Sequence, residues 1–234
     1  MRLLELGRRI VIAHRGASTE RPENTLPAFE RALELGADAI ELDVRLARDG
    51  VAVVIHDATL ARTAGDASAV RSLAAAELAA FHVPTLREVL AAFPGTEVLI
   101  EIKEAAAQPA VARAISETAA EDRCVVAAGD AAALVDFRGG TTAVCGARPD
   151  IAALRWRSVL GLVGPAAGYR TLSVPRSYRG IPVATRRFFR AAAAIGVPVH
   201  VWTVDDPRSA RALWSAGASG IVTNDVAAIV GARR

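Results

Sequence analysis

The sequence predicts an α/β protein, a (β/α)8 TIM barrel, on three observations. Short runs rich in β-branched residues alternate with longer, alanine-rich runs of helical character. Such alternation is typical of parallel strands joined by crossover helices. Eight strands remain when a short run at residues 51–55 is treated as an extension, and 234 residues is close to the roughly 250 typical of this barrel. A doubly wound open sheet is the alternative, but no Gly-x-Gly-x-x-Gly turn follows the first strand.

The elements follow in order along the chain. The strand candidates cover residues 9–13, 39–44, 51–55, 97–103, 123–127, 141–145, 170–174, 197–202 and 220–223. The helix candidates cover residues 26–35, 86–93, 110–120, 131–137, 185–195, 207–216 and 226–232. Gly36, Gly196 and Gly217 each follow a helix candidate and precede a strand, where a left-handed C-terminal cap is expected.

Two stretches interrupt the alternation. Loop-rich residues 57–83 contain one short helix near residues 75–80, so the barrel carries a small insertion after the second strand, at about residues 57–84. Residues 161–182 are rich in Gly and Pro around a single strand. No linker, repeat or low-complexity tract marks a second domain, and we expect one domain over residues 1–234.

Composition excludes several classes of protein. The chain is 52% hydrophobic, carries a net charge of only +3 and has no basic cluster interleaved with aromatic residues, so we expect no nucleic-acid partner. Cys124 and Cys145 each lie in an apolar run and indicate core thiols, not a disulfide framework or a metal site. Neither a signal sequence nor an apolar run of about 18 residues is present, so we expect a cytoplasmic protein without stable membrane insertion.

Carboxylates occur at the ends of two predicted strands, on the face that points into the barrel. Glu41 and Asp43 share one face of the second strand, and Glu101 shares a face with Lys103, the only lysine. The carboxyl ends of barrel strands carry the active site. Three carboxylates at one barrel mouth need a cation to offset their repulsion, and hard oxygen ligands suit Mg²⁺ or Ca²⁺.

Two of the four histidines also end strands. His14 and His56 suit a general acid and a general base near neutral pH. Arg15 and Lys103 supply fixed positive charge and, with a divalent cation, would clamp a phosphoryl group. His82 and His200 are interpreted as structural, since one lies in the insertion and the other lies deeper in its strand.

Together these motifs resemble those of the glycerophosphodiester phosphodiesterase family (bacterial cytoplasmic type). The resemblance covers residues 10–225, nearly the whole chain, and its specificity comes from the order and spacing of the motifs. They are His14-Arg15-Gly16, Glu23-Asn24-Thr25, Glu41-Leu42-Asp43-Val44, His56-Asp57, Glu101-Ile102-Lys103 and Val201-Trp202-Thr203-Val204.

The resemblance implies a metal-dependent barrel that hydrolyses small glycerophosphodiesters to an alcohol and glycerol 3-phosphate. By position, it implies metal ligation by Glu41, Asp43 and Glu101, with Mg²⁺, Ca²⁺ or Mn²⁺ as the ion. His14 and His56 become the acid–base pair, in either order, and a cyclic phosphate the intermediate. It further implies substrate or phosphate contacts for Arg15, Lys103 and Trp202, and supporting positions for Glu23 and Asn24. The oligomeric state is left open.

One departure from the family pattern affects the substrate pocket. Ala128-Gly129 stands where members of the family often carry Ser-Phe, which predicts a roomier pocket. The insertion retains Arg62 and is expected to lie over the site. Three alternatives stay open at this point: a lysophospholipid- or sphingolipid-cleaving phosphodiesterase on the same barrel, a Schiff-base aldolase using Lys103, and a non-catalytic phosphodiester-binding barrel.

Overall fold

Eight parallel strands close into a barrel in the computed structural model, which describes residues 1–162, 164 and 168–233. The barrel strands are β1 (Ile10–His14), β2 (Ala39–Leu46), β4 (Glu97–Ile102), β5 (Cys124–Ala127), β6 (Ala143–Gly146), β7 (Thr171–Pro175), β10 (Val199–Trp202) and β11 (Gly220–Thr223). Neighbouring barrel strands follow the order β1, β11, β10, β7, β6, β5, β4, β2, and β2 pairs again with β1. The predicted barrel is therefore confirmed.

The short run at residues 51–55 is an extension, as predicted. Its central part, β3 (Ala52–Val54), pairs antiparallel with the end of β2 and lies outside the barrel. The loop that follows carries two short helices, α2 (Ala61–Ala64) and α3 (Ala75–Ala79), and a 3-10 turn. Its apolar side chains pack into a small core of their own around Leu60 and Leu78, so the insertion is an ordered part of the fold.

The helices pack around the outside of the barrel. Thr25 and Thr85 cap the helices that begin at Leu26 and Leu86, because each side-chain oxygen accepts a hydrogen bond from a backbone N–H in the first turn. Gly36, Gly196 and Gly217 all have positive φ, which confirms the predicted helix stops. These helices are α1 (Leu26–Glu34), α4 (Leu86–Ala92), α5 (Gln108–Glu117), α6 (Arg148–Leu160), α7 (Arg186–Ala194), α8 (Pro207–Ala216) and α9 (Val226–Gly231).

Three features correct the sequence-based elements. The helix α6 was not predicted, because its outer face exposes Trp156 and Leu160 and blurs the apolar periodicity. The helix predicted over Ala131–Phe137 is a 3-10 helix. The stretch at residues 161–182 contains, besides β7, a two-stranded ribbon of β8 (Ser177–Tyr178) and β9 (Ile181–Pro182), while residues 163 and 165–167 lie outside the described part.

Two apolar layers hold the barrel. An inner core fills the barrel itself, and an outer core lies between the strands and the helices. Cys124 and Cys145 are buried free thiols in these layers, as predicted. In the part of the chain that the structure describes, no helix is long and apolar enough to cross a membrane. The inner core consists of Leu3, Ile10, Ile12, Ala39, Leu99, Val125, Ala127, Ala143, Cys145 and Val222.

An N-terminal 3-10 turn, Arg2–Leu4, closes the floor of the barrel, the end away from the strand carboxyl ends. The Glu97 carboxylate accepts hydrogen bonds from the backbone N–H groups of Arg2 and Leu3, at 2.6 and 2.9 Å. The Leu3 side chain is fully buried in the inner core, and its carbonyl oxygen lies 2.9 Å from Nε2 of His200. His200 thus holds the N-terminal turn in place through the Leu3 carbonyl, which agrees with the structural role predicted for it.

Acid should weaken the fold through His200. Burial lowers the pKa of this fully buried imidazole from 6.5 to about 4. The unfolded chain then binds a proton that the folded chain does not, so stability falls as the pH drops from about 6.5 to 4, by about 3 kcal/mol. Urea denaturation across this pH range measures the loss. His200→Gln keeps a donor for the Leu3 carbonyl but cannot titrate, and its stability should fall less; equal pH slopes in the two proteins would contradict the assignment.

Candidate active site

Three carboxylates meet at the mouth of the barrel, formed by the carboxyl ends of its strands. Asp43 on β2 pairs in register with Glu101 on β4, and Glu41 lies one inward position below Asp43. One oxygen from each of the three lies within 4.8 Å of the others. Asp43 is fully buried and Glu41 is 4% exposed. The structure thus brings together the three residues predicted to bind metal.

The pKa values of Glu41 and Asp43 are shifted in opposite directions. Burial, reinforced by the charges of Asp43 and Glu101, raises the pKa of Glu41 well above its usual range. Burial also disfavours the Asp43 carboxylate, but the charges of Lys103 and Arg15 outweigh it and lower the pKa of Asp43. A further cation among these oxygens would favour the ionised form of Glu41 as well.

Lys103 and Arg15 both contact Asp43. The Lys103 ammonium lies 2.7 Å from Oδ1 of Asp43 and 3.0 Å from Oε1 of Glu101, and Nε of Arg15 lies 2.9 Å from Oδ2 of Asp43. Despite burial, these carboxylates raise the pKa of Lys103. A Schiff-base aldolase needs a neutral lysine, so this pairing argues against that alternative.

The donor set matches the preference of a hard divalent cation. All three candidate ligands offer carboxylate oxygens. Oδ1 of Asp43 is buried and receives no hydrogen bond of good geometry, although the Lys103 ammonium lies 2.7 Å from it. Asn24 holds the other oxygen, Oδ2, through a 3.0 Å hydrogen bond from its amide. One Asp43 oxygen is therefore fixed and the other faces the carboxylate cluster.

His14 is held by a polar chain at the end of β11. Its Nδ1 lies 2.7 Å from Oδ1 of Asn224, whose amide donates to Asp205 at 2.9 Å. An amide oxygen can only accept, so Nδ1 carries the hydrogen and Nε2 is directed toward Glu41, 3.9 Å from its Oε2. Burial lowers the pKa of His14, an effect that the bond to Asn224 opposes.

His56 is oriented by residues of the insertion. Its Nδ1 lies 2.6 Å from the Asp57 carboxylate, whose second oxygen accepts a 2.6 Å hydrogen bond from Arg62. Arg62 also donates two hydrogen bonds to Glu23, at 2.9 and 2.7 Å, and Glu23 in turn contacts Arg15. Glu23 thus joins the insertion to the loop after β1.

Backbone geometry sets the direction of the Arg15 side chain. Arg15 and Asn24 both adopt left-handed conformations, with φ of 61° and 58°, and the Asn24 N–H donates to the Arg15 carbonyl. Gly16 has φ of 84°, and a Cβ atom there would lie 2.6 Å from the carbonyl carbon of Ala28. Only glycine fits this turn against α1, which turns Arg15 back toward Asp43.

Comparison with known proteins agrees with this site. A family model described as the glycerophosphoryl diester phosphodiesterase family matches residues 14–228, which include every candidate site residue. The chain belongs to this family.

Glycerophosphoryl diester phosphodiesterases from several bacteria are similar to this chain over most of its length. A Mycobacterium tuberculosis protein named "Probable glycerophosphodiester phosphodiesterase 2" is 35% identical over 94% of this chain and 89% of its own length. A glycerophosphodiester phosphodiesterase from Caldanaerobacter subterraneus subsp. tengcongensis is 31% identical over 92% of this chain and 94% of its own. The crystal structure of a Thermotoga maritima glycerophosphodiester phosphodiesterase superposes with a TM-score of 0.77 at 28% identity, covering 97% and 99% of the two chains.

Two further positions that the sequence analysis identified lie at other strand ends. Trp202 ends β10, two strands away from β1, and is 43% exposed. At Gly129, which follows β5, the space beside the missing side chain is occupied by the guanidinium of Arg148. The sequence identified the Ala128-Gly129 departure but not this arginine, because only the folded chain shows which residue fills the space.

Sequence reasoning also missed what holds the histidines. Asp205 lies 19 residues before Asn224, and Asn224 lies 210 residues after His14. Asn224 follows directly on the last strand, which was the available signal that it reaches the mouth. Nothing local marks Asp205, since its role depends on β10 and β11 being neighbours.

Proposed function

We propose that this chain hydrolyses glycerophosphodiesters, small-molecule substrates, to an alcohol and glycerol 3-phosphate. The observation that carries the proposal is the convergence of Glu41, Asp43, Glu101, His14 and Lys103 at one barrel mouth, in a chain that belongs to this family. Hydrolysis of a phosphodiester requires that the negative charge of the phosphate be offset and that protons be transferred at two oxygens. Clustered carboxylates with a cation, and two histidines, supply both.

Glu41, Asp43 and Glu101 would hold a divalent ion, Mg²⁺, Ca²⁺ or Mn²⁺. When bound, such an ion polarises the phosphoryl group and offsets the charge that develops on its oxygens. Asn24 orients Asp43, and Lys103 keeps its proton beside the carboxylates. Lys103 and Arg15 would then offer their remaining N–H groups to the phosphate oxygens.

His14 and His56 would transfer the protons. One imidazole accepts the proton of the glycerol 2-hydroxyl as that oxygen attacks phosphorus, and the other donates a proton to the departing alcohol oxygen. The P–O bond to the alcohol breaks as the bond to the 2-oxygen forms, leaving a cyclic phosphate. Water then opens the cycle, with the two proton transfers reversed. Polar partners on Nδ1 hold both rings, so that Nε2 of each is available for these transfers.

One experiment tests the function and the metal together. The chelator-stripped protein should release glycerol 3-phosphate from glycerophosphocholine, glycerophosphoethanolamine or glycerophosphoglycerol only after Mg²⁺, Ca²⁺ or Mn²⁺ is restored. Lysophosphatidylcholine in the same panel covers the alternative of a lysolipid-cleaving enzyme. Full activity without metal would exclude the metal assignment, and no hydrolysis of any diester would exclude the function.

Arg62 should matter for turnover although it lies on the insertion. Replacing Arg62 by alanine removes the hydrogen bond that fixes Asp57 behind His56, and the contact to Glu23 behind Arg15. Loss of such supporting partners costs about 10- to 100-fold in activity. We therefore expect kcat to fall by about this factor in Arg62→Ala, and Arg62→Lys to retain part of the activity.

Arg71→Ala is the matched control, since Arg71 lies in the same insertion and has no ion pair among the described residues. An equal loss of kcat in Arg62→Ala and Arg71→Ala would refute the assignment.

A further inference from the structure

We propose that Arg148 makes this site selective for glycerophosphodiesters whose alcohol group carries a negative charge. The inference rests on the proposed function and narrows its substrate class. Three observations support the inference: the position of Gly129, the charge of Arg148, and the chemistry of the two groups that the substrate's phosphate joins, which are the glycerol arm and the alcohol arm.

Gly129 lies at the mouth of the barrel, in the bend just beyond the carboxyl end of β5. Ala127, the last residue of β5, belongs to the inner core and is the register partner of Glu101 on the neighbouring strand β4. Lys103 follows directly on β4. Gly129 and Lys103 therefore follow neighbouring strand ends on the same rim of the barrel, which is the rim that carries the predicted phosphate site.

The Arg148 guanidinium occupies the space that a side chain at Gly129 would take. Its Nη2, Nε and Cζ atoms lie 3.1, 3.2 and 3.3 Å from the position of a Cβ built on Gly129. Arg148 begins α6, directly beyond the end of β6, so its side chain crosses from one strand end to the next. A bulky residue at position 129 would displace it.

Within the part of the chain that the structure describes, Arg148 is a cation without an ion-pair partner. No carboxylate of the described residues lies within 4.0 Å of its guanidinium nitrogens, whereas Arg15 and Lys103 are both paired with Asp43. The nearby Asp150 is engaged elsewhere, by the backbone N–H of Ala147 and by Arg138. An exposed guanidinium with free N–H groups is suited to bidentate contact with a carboxylate or a phosphate.

The substrate has only one arm that can carry such a group. The glycerol arm bears hydroxyl groups alone, and the scissile phosphate has one negative charge, which Lys103, Arg15 and the metal would offset. Charge that pairs with Arg148 must therefore belong to the alcohol. The inward-facing residues at the ends of the two neighbouring strands are small, Ala127 on β5 and Cys145 on β6.

The test compares two diesters of nearly equal shape. Glycerol 3-phosphate esterified with 3-hydroxypropanoate has an anionic alcohol arm, and the ester of 3-hydroxypropanamide has a neutral one. The wild-type protein should show the higher kcat/KM for the anionic ester. Arg148→Gln should lower kcat/KM for that ester by about 10- to 100-fold and change the neutral ester less than about twofold. The preference should also weaken as salt is added.

Controls separate charge selection from other effects. Arg148→Lys keeps the charge and should retain part of the preference, while Arg190→Gln, an exposed arginine on α7, should leave it unchanged. An equal loss on both esters in Arg148→Gln would assign Arg148 to the scissile phosphate and overturn the inference. Activity without any preference in the wild-type protein would overturn the inference alone. Hydrolysis of neither ester, under conditions where the diester panel also fails, would overturn the proposed function with it.

Discussion

Replacing His14 by alanine should lower kcat for glycerophosphodiester hydrolysis by about 100- to 10,000-fold while the barrel stays folded. The proposed reaction moves a proton at two oxygens, and a positioned acid or base typically contributes a factor of this size. The ring is 19% exposed, and its loss leaves Asn224 with hydrogen bonds to Ser18 and Asp205. The side chain is therefore more important for proton transfer than for packing.

Steady-state kinetics, with glycerol 3-phosphate as the measured product, gives the effect. His56→Ala should cause a loss of similar size, because each histidine serves one of the two oxygens. His82→Ala is the control, since His82 is an exposed histidine of the insertion. Calorimetric titration with the metal should show that both site variants still bind it. Near-wild-type turnover of either variant would refute the paired acid–base mechanism.

Lys103→Arg should cost about 100-fold or more in activity although it preserves the charge. The lysine reaches two carboxylates through one compact ammonium, at 2.7 and 3.0 Å, from a side chain that is 13% exposed. A guanidinium is longer and planar, so it cannot occupy the same point without displacing Asp43 or Glu101. Displacement by about 1 Å is enough to cause a loss of this order.

Two measurements show whether the loss of activity arises at the phosphate contact or at the metal-binding carboxylates. Activity at saturating metal reports on the phosphate contact, and the metal concentration at half-maximal activity reports on the carboxylates. Lys103→Met removes the charge and leaves Asp43 with Arg15 as its remaining cationic partner among the described residues, so its loss should be at least as large. Full activity in Lys103→Arg would show that the position needs only a positive charge.

The barrel could be predicted because local patterns determine it. Strand and helix runs alternate along the chain, and the side-chain period of two places Glu41 and Asp43 on one face before any contact is known. The elements that were wrong lack such a pattern. The helix α6 exposes Trp156 on its outer face, and residues 131–137 adopt 3-10 geometry that periodicity alone does not distinguish from an α-helix.

The sequence predicts which residues make up the candidate site but not how they pair with one another. Strand ends identified His14 and Lys103. The contacts of Arg62 with Glu23 and of His14 with Asn224 join residues 39 and 210 positions apart, and they depend on which strand ends become neighbours. The sequence predicts phosphate contacts for Arg15 and Lys103 but not that both also contact Asp43, a fully buried carboxylate that requires neutralisation whatever else the site binds.

The closed floor of the barrel has a consequence for the order of events in the proposed reaction. Because the inner core, with Leu3 at its floor, fills the barrel on that side, we expect substrate to enter and products to leave at the mouth. In the proposed reaction, the departing alcohol and the water that opens the cyclic phosphate would then use the same side of the site. Glycerol 3-phosphate, formed last, should compete with the next substrate and act as a competitive inhibitor of its own formation.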